Sequence, residues 1–136
     1  MISIFAQAEK HLEKTAIISD GVKYKYTQLL EASKAFAYTL LDGKNDLQEA
    51  RVAYMVNPGF DYVRVQWGIW QAGGVAVPLC LTYPLPSLRY TIENSGSSIV
   101  VVSPEFEDLL KPLCTELNLR LLTTDDQARA DRRKDC

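Results

Sequence analysis

The sequence predicts an α/β fold, in which a mostly parallel sheet carries helices on both faces and follows an N-terminal β-hairpin and helix. Three short segments, 52–56, 74–77 and 99–102, are almost wholly apolar, which is typical of parallel strands covered on both faces. Segments with helical periodicity separate them. Three successive strand–helix–strand units of similar length therefore predict a right-handed, mostly parallel layer.

The predicted elements begin with a hairpin over residues 15–27, whose turn, Asp20-Gly21, is suited to positive φ. Its second strand, 22–26, alternates apolar and charged residues. Thr27 is expected to cap a helix that runs to about Leu41. The apolar face of this helix and its end are indicated by Leu29, Ala32, Phe36, Leu40 and Asp42-Gly43.

The first apolar strand is followed by Asn57 and Pro58. Asn57 is expected to cap the free amides of a helix, and Pro58 to occupy its first turn, where a missing N–H costs nothing. This helix is predicted to run to Ala72, with Gly73 as its left-handed cap. Pro78 then closes the next strand, because proline is tolerated only at strand ends and edges.

Two further units complete the predicted sheet. One helix, indicated by a stripe of apolar residues, is predicted to end near Gly96. A second helix is predicted to begin at Pro104 and to run to about Leu113. A fourth strand is predicted over 119–122. The stripe consists of Leu85, Leu88 and Ile92.

The helix over 58–72 carries two apolar stripes, because successive residues turn by about 100°. One stripe can pack on the sheet. The other needs a cover, which is a neighbouring element, a partner outside this chain, or a cofactor or lipid that the stripe lines. The stripes are Phe60, Val63, Trp67 and Trp70, and Tyr62, Val65, Ile69 and Ala72.

Composition excludes several classes of protein. The 136 residues are 47% hydrophobic, which excludes wholesale disorder, and the net charge of -2 gives no general attraction to nucleic acid. No apolar run is long enough to span a membrane. The widely spaced cysteines do not resemble a disulfide framework or a zinc site; Cys80 and Cys114 are interpreted as small buried residues, and Cys136 carries no signal. A cytoplasmic location is the simplest expectation.

Motifs for catalysis and phosphate binding do not occur in the sequence. Nothing matches the glycine-rich dinucleotide, P-loop or nucleophile-elbow patterns. Gly73-Gly74 is interpreted as a helix cap with close packing, and Ser95–Ser98 as a turn, since each lies between a helix and the strand that follows. The single histidine, His11, is expected to be an exposed residue of the first helix. The sequence therefore predicts no catalytic, cofactor-binding or metal-binding residue.

Several blocks nevertheless resemble the early part of AMP-forming acyl-CoA synthetases, the adenylate-forming ligase superfamily. Upstream, a Tyr-Thr-x-Leu block opens a helix, and a strand precedes an Asn and a second helix. Downstream, a helix ends in Gly-Gly before Val-Pro-Leu, Tyr-Pro and Leu-x-Tyr. The matching stretches are Tyr26–Leu29, Val52–Tyr54 with Asn57 and Phe60, Trp67–Leu79, Thr82–Pro84, Leu88–Tyr90 and Asn94-Ser95.

The resemblance implies a reaction in which a carboxylic acid and ATP give an acyl-adenylate and pyrophosphate, and CoA then takes the acyl group. ATP, Mg and CoA are therefore expected cofactors of a full-length enzyme, and malonate-type or fatty acids its expected substrates. The family's phosphate loop and catalytic lysine lie downstream of every matched block. Residues 1–122 are thus expected to be an inactive N-terminal part of the large domain, whose partner is the remainder of that domain, and 123–136 a loose polar tail.

Two other functions fit the same pattern. The chain could be a standalone, non-catalytic module that binds a protein partner through an exposed apolar stripe of the 58–72 helix. It could also be a small flavodoxin-like domain that binds a flavin or nucleotide. An uncovered stripe would further predict a homo-oligomer formed through apolar surface.

Overall fold

The computed structural model describes residues 3–125 and confirms the predicted α/β fold. Its N-terminal part is a short helix followed by an antiparallel hairpin and a long helix. The hairpin turns at Asp20 and Gly21, both with positive φ, as the sequence predicted. These elements are α1 (Ser3–Glu9), β1 (Thr15–Ser19), β2 (Val22–Lys25) and α2 (Tyr26–Leu41).

The rest of the described chain alternates strands and helices. Its four strands form one parallel sheet in the order β4-β3-β5-β6. Three successive βαβ units are present, as predicted, and Pro104–Phe106 forms a 3-10 turn before the last helix. The elements are β3 (Arg51–Met55), α3 (Phe60–Gln71), β4 (Val75–Pro78), α4 (Leu85–Ser95), β5 (Ile99–Val102), α5 (Glu107–Glu116) and β6 (Arg120–Thr123).

Helices cover both faces of this sheet. On one face, α2 and α3 pack against alternate residues of β3 and β5 such as Tyr54 and Val101. On the other face, α4 and α5 pack against the intervening residues such as Ala53 and Val100. All four of these strand residues are at most 1% exposed. The near-continuous apolar strands follow from this double coverage.

The aromatic stripe of α3 is covered by the N-terminal part of the same chain. Trp67 is 5% exposed and meets Phe5 of α1 edge to face, with ring centroids 5.2 Å apart. Phe60 stacks on Tyr24 of β2 at 4.1 Å. The second stripe packs on the sheet. The expectation of an exposed stripe is therefore wrong, and the partner-binding and self-association hypotheses lose the surface on which they depended.

The helix starts differ from the predicted ones. Thr27 lies inside α2, where its hydroxyl donates to the Leu12 carbonyl at 2.7 Å instead of capping the helix. Lys25 is the N-cap, and its backbone N–H donates to Gln28 Oε1 at 2.7 Å. Gln28, the third residue of the helix, thus supplies the side-chain acceptor at the helix start, and Thr27 does not act as the cap.

The start of α3 was also predicted too early. Gly59, with φ of 137°, is the N-cap, so Asn57 and Pro58 precede the helix. The strongly positive φ requires glycine there. Asn57 is left outside the helix, where it contacts residues after β5 instead.

The predicted ends of α2, α3 and α4 are confirmed to within one residue, with left-handed conformations at Gly73 and Gly96. The last helix, α5, begins at Glu107 instead of Pro104 and continues past the predicted Leu113 to Glu116.

Glycine is also required for the close packing after α3. A Cβ atom at Gly74 would lie 3.1 Å from the Ala50 carbonyl oxygen and 3.0 Å from a methyl carbon of Leu47. The interpretation of Gly73-Gly74 as a cap with close packing is therefore confirmed. Ser95–Ser98 likewise forms a turn, in which the hydroxyls of Ser95 and Ser97 lie 2.7 Å apart.

The last strand extends one residue beyond the predicted Leu122, to Thr123. Thr124 is buried and donates its N–H to the Val102 carbonyl at 3.0 Å. Arg120 reaches back to α2, donating to the carbonyls of Thr39 and Leu40 at 2.7 Å each. The predicted loose tail lies almost entirely in 126–136, outside the described residues.

Candidate functional site

The most promising position for a site is the gap between the carboxyl ends of β3 and β5. The connections that follow these neighbouring strands lie on opposite faces of the sheet, because α3 follows β3 on one face and α5 follows β5 on the other. Such a switch point is where parallel α/β sheets commonly bind ligands. Asn57 follows β3 and Ser103 follows β5 at this gap.

Hydrogen bonds join the two strand ends. The backbone N–H of Asn57 donates to Ser103 Oγ at 3.0 Å, and the Ser103 N–H donates to the Met55 carbonyl at 3.0 Å. The Asn57 side-chain amide donates to Glu105. These polar groups therefore hold the strand ends together and already have partners within the chain.

Arg64 forms the buried side of this region. It projects from α3, is 6% exposed, and donates to Asp61 Oδ1 from Nε and Nη2 at 3.0 and 2.9 Å. Nη2 also donates to the Thr124 carbonyl at 3.1 Å, and the guanidinium lies 5.5 Å from the centroid of the Phe36 ring. Arg64 thus connects α3 to the residues that follow β6 and is occupied by internal contacts.

The gap opens into a crevice of about 310 Å³, whose lining includes Asp20, Asp61 and Glu105. None of the described residues that line it is lysine or arginine. An acidic lining repels phosphate groups, so these residues do not fit the phosphates of ATP. Within residues 3–125, no three His, Cys, Asp or Glu side chains are grouped to hold a metal ion. The crevice therefore does not fit the phosphates of the expected nucleotide.

A tyrosine pair lies in the core near the same strand. The Tyr54 hydroxyl is 3.3 Å from that of Tyr62 and accepts a hydrogen bond from Gln66 Nε2 at 3.3 Å. Burial, and secondly the hydrogen bond with Tyr62, raise the pKa of Tyr54 well above its ordinary value. The phenol therefore stays protonated at neutral pH, which excludes Tyr54 as a general base.

A larger open groove of about 1020 Å³ borders the half-buried end of the aromatic stripe at Trp70. Its apolar lining residues are Phe5, Leu12 and Leu30, together with Trp70. Most of the other side chains around it are charged or polar. The lining therefore combines apolar surface with charged and polar side chains. The polar residues of this lining are Glu9, Thr27, Glu31, Lys34, Asp46 and Gln71.

The remaining residues singled out in the sequence are not brought together. His11 lies after the end of α1 and is exposed, so its exposure was predicted correctly and its place in the helix was not. Cys114 is buried, as predicted. Cys80 is exposed in the loop after β4, which contradicts the prediction, because Leu79 takes the buried position at the strand end. Cys136 lies outside the described residues.

The cysteines give a direct test of this arrangement. The Thr82 hydroxyl, 3.1 Å from Cys80 Sγ, lowers the pKa of the Cys80 thiol, whereas burial raises that of Cys114. Because the thiolate is the reactive form, Cys80 should react with iodoacetamide at least about 100-fold faster than Cys114 in the folded chain. Its rate should rise at a lower pH than that of an ordinary cysteine.

The measurement follows alkylation by peptide mass spectrometry between pH 6 and 9. A Cys136→Ser background removes the terminal thiol, and a Thr82→Val variant is the matched control, in which the rise should move to higher pH. Comparable rates at Cys80 and Cys114 would contradict the described burial.

Sequence reasoning missed Asn57 and Ser103 as residues that meet. Each is a polar residue directly after a predicted apolar strand, and that placement was the available signal. Their proximity depends on β3 lying beside β5, a strand order that periodicity does not reveal.

Comparisons with known proteins identify the family. The sequence profile of the AMP-binding enzyme family matches residues 4–135. Mitochondrial malonate–CoA ligases are similar, with 36% identity over 125 residues in Mus musculus and 33% over 123 in Homo sapiens. These matches cover 89% and 88% of this chain but 21% of each relative. The chain thus spans about a fifth of their length.

Solved structures agree with the described fold. Apo MatB from Rhodopseudomonas palustris has a TM-score of 0.75 at 26% identity, covering 88% of this chain and 25% of that one. An o-succinylbenzoate CoA synthetase from Bacillus subtilis, in complex with an acyl-adenylate intermediate, has a TM-score of 0.83 at 18% identity, covering 95% and 33%. The resemblance to adenylate-forming ligases is confirmed, and the chain belongs to the AMP-binding enzyme family.

Proposed function

We propose that this chain is the N-terminal scaffold of an acid–CoA ligase whose substrate is malonate. The observation that carries the proposal is the similarity to malonate–CoA ligases along nearly the whole chain, at 36% identity in the mouse relative. In the proposed reaction, malonate attacks ATP to give malonyl-adenylate and pyrophosphate. The thiol of CoA then displaces AMP and forms the thioester.

The geometry supports a scaffold role for residues 3–125. The crevice at the switch point is acidic among its described lining residues, and the polar groups beside it hold one another. Neither feature suits a nucleotide. The sites for ATP, Mg and CoA are accordingly assigned to the remainder of the polypeptide, and this chain contributes the packed layer that supports them.

Malonate is chosen over a fatty acid because four relatives with 30–36% identity, each matched along nearly the whole chain, are named malonate–CoA ligases. A second carboxylate requires polar partners in the acid pocket. Sites built to bind such a group reject analogues that lack it strongly. The proposed enzyme therefore discriminates against aliphatic acids, and this discrimination distinguishes the two substrate classes.

The test is acid-dependent ATP–pyrophosphate exchange, measured on the complete polypeptide encoded by the gene and on the 136-residue chain. The complete polypeptide should support exchange with malonate at least about 100-fold faster than with octanoate, followed by release of malonyl-CoA when CoA is added. The 136-residue chain should support none, because its sequence contains no glycine-rich phosphate-binding motif.

Reactions without acid serve as the control for both proteins. A preference for octanoate would contradict malonate as the substrate and leave the ligase activity standing. Exchange by the 136-residue chain alone would contradict the scaffold role, and no exchange by the complete polypeptide with any acid would overturn the proposed function.

The compartment stays a prediction. Among residues 3–125, none of the helices combines the length and the apolar composition that a membrane span needs. We propose a cytoplasmic location, although the mouse and human relatives are named as mitochondrial. Microscopy of the complete polypeptide with a C-terminal tag would decide between them.

A further inference from the structure

The outer edge of β6 carries backbone hydrogen-bonding groups that point away from the rest of the described sheet. Among residues 3–125, β6 is the last strand of the sheet, and it pairs in parallel with β5. The N–H of Arg120 donates to the Ser98 carbonyl at 3.3 Å, and that of Thr124 to Val102 at 3.0 Å. In a parallel ladder alternate residues bond to the same neighbour. Leu121 therefore directs its N–H and C=O away from β5, along the outer edge.

Both faces of β6 are nevertheless covered. Leu121 packs against the cluster formed with α4 and α5, and Leu122 against the cluster formed with α2 and α3. Both side chains are half-buried, and Arg120 is tied to the end of α2. Strands with two apolar faces under helices are typical of the interior of a parallel sheet, whereas β6 stands at an edge.

The opposite edge is built to remain an edge. At β4, the N–H of Val75 donates to Ala50 and that of Leu79 to Tyr54, so Ala76 and Pro78 face outward. Pro78 has no N–H to donate, and Val75 is 42% exposed. Proline at an outer strand position prevents further pairing. The two edges of the sheet are thus chemically different.

We propose that the outer edge of β6 receives a further strand from the remainder of the same ligase polypeptide, paired through Leu121, while the β4 edge stays unpaired. This inference rests on the proposed function, in which the chain is part of a longer protein. The lengths of the relatives support a strand from the same polypeptide, because the chain covers only 21% of its mouse relative and 25% of MatB. Pairing would satisfy the outward groups of Leu121 and place β6 inside the sheet.

Hydrogen–deuterium exchange at single-residue resolution tests the inference, in the 136-residue chain and in the complete polypeptide. The Leu121 amide should exchange at least about 100-fold more slowly in the complete polypeptide. The Ala76 amide, outward on β4, is the internal control and should exchange at similar rates in both. Unchanged exchange at Leu121 would overturn the proposal, as would slowing at Ala76 in its place.

A pair of proline variants gives an independent readout. Leu121→Pro removes an outward N–H without removing a bond to β5, and it also removes the packing of a half-buried leucine side chain, so it should lower the Tm of both proteins. In the complete polypeptide the pairing bond is lost as well, so the decrease there should be larger by about 3 °C or more. Ala76→Pro is the matched control on β4 and should have little effect in either protein. Equal effects of Leu121→Pro in both proteins would contradict pairing at β6.

The exchange result and the enzymatic result can fail separately. An active ligase with a fast-exchanging Leu121 amide would overturn the edge pairing and leave the proposed function standing. A protected Leu121 amide in a polypeptide without acid-dependent exchange would support the pairing and overturn the function.

Discussion

Trp67→Ala should lower the free energy of unfolding by about 3–5 kcal/mol, the usual cost of truncating a buried aromatic side chain. Trp67 is 5% exposed and lies between α3 and the N-terminal elements, edge to face with Phe5. Removal of the indole leaves a cavity and eliminates the contact between Phe5 of α1 and α3. Urea denaturation followed by circular dichroism measures the change.

Trp70→Ala is the matched control, because Trp70 lies one helical turn further along the same stripe and is only half-buried; its cost should be clearly smaller. A Phe5→Ala and Trp67→Ala double-mutant cycle should give a coupling of about 0.5–1.5 kcal/mol. A loss below about 1 kcal/mol for Trp67→Ala would show that α1 does not cover the stripe in solution.

Arg64→Ala should destabilise the chain by about 2–4 kcal/mol. The substitution removes the donor to the Thr124 carbonyl, which belongs to a buried residue, and the guanidinium beside the Phe36 ring. A buried carbonyl without a partner costs about 1–3 kcal/mol, and the lost packing of the arginine side chain adds to that cost. Thermal and urea unfolding both measure the loss.

Asp61→Ala is the control for the ion pair itself. The Asp61 side chain is 55% exposed but that of Arg64 is only 7% exposed, so Asp61→Ala leaves a buried guanidinium without its carboxylate. The cost should be about 1–2 kcal/mol, below that of Arg64→Ala. An equal loss for both variants would mean that the ion pair, rather than the contacts of Arg64 with Thr124 and Phe36, stabilises this region.

The secondary structure was largely predictable because periodicity and turn residues report it directly. The apolar strands and the left-handed positions at Gly73 and Gly96 were read from local patterns that tertiary contacts did not override. The helix starts were less predictable. Asn57-Pro58 is a good capping pair by composition, yet Gly59 adopts a φ of 137° and the helix begins after it. Asn57 instead forms hydrogen bonds with residues that follow β5.

The cover over the aromatic stripe could not be predicted, because it comes from segments distant in sequence. The alternation in β2 places Tyr24 on one face of the hairpin, but nothing local indicates that this face meets Phe60. Similarly, the meeting of Asn57 with Ser103 depends on strand order. Apolar patterning shows that a surface must be covered and leaves open which element covers it.

The contact of Arg120 with the end of α2 has a consequence for synthesis on the ribosome. The Leu40 carbonyl is made 80 residues before the arginine that binds it. At about 5–20 residues per second, that interval is roughly 4–16 s. During this time β3 also lacks its neighbour β5. Until then the carbonyl at the end of α2 lacks its arginine partner, and the apolar faces of β3 lack the neighbouring strand that completes the centre of the sheet.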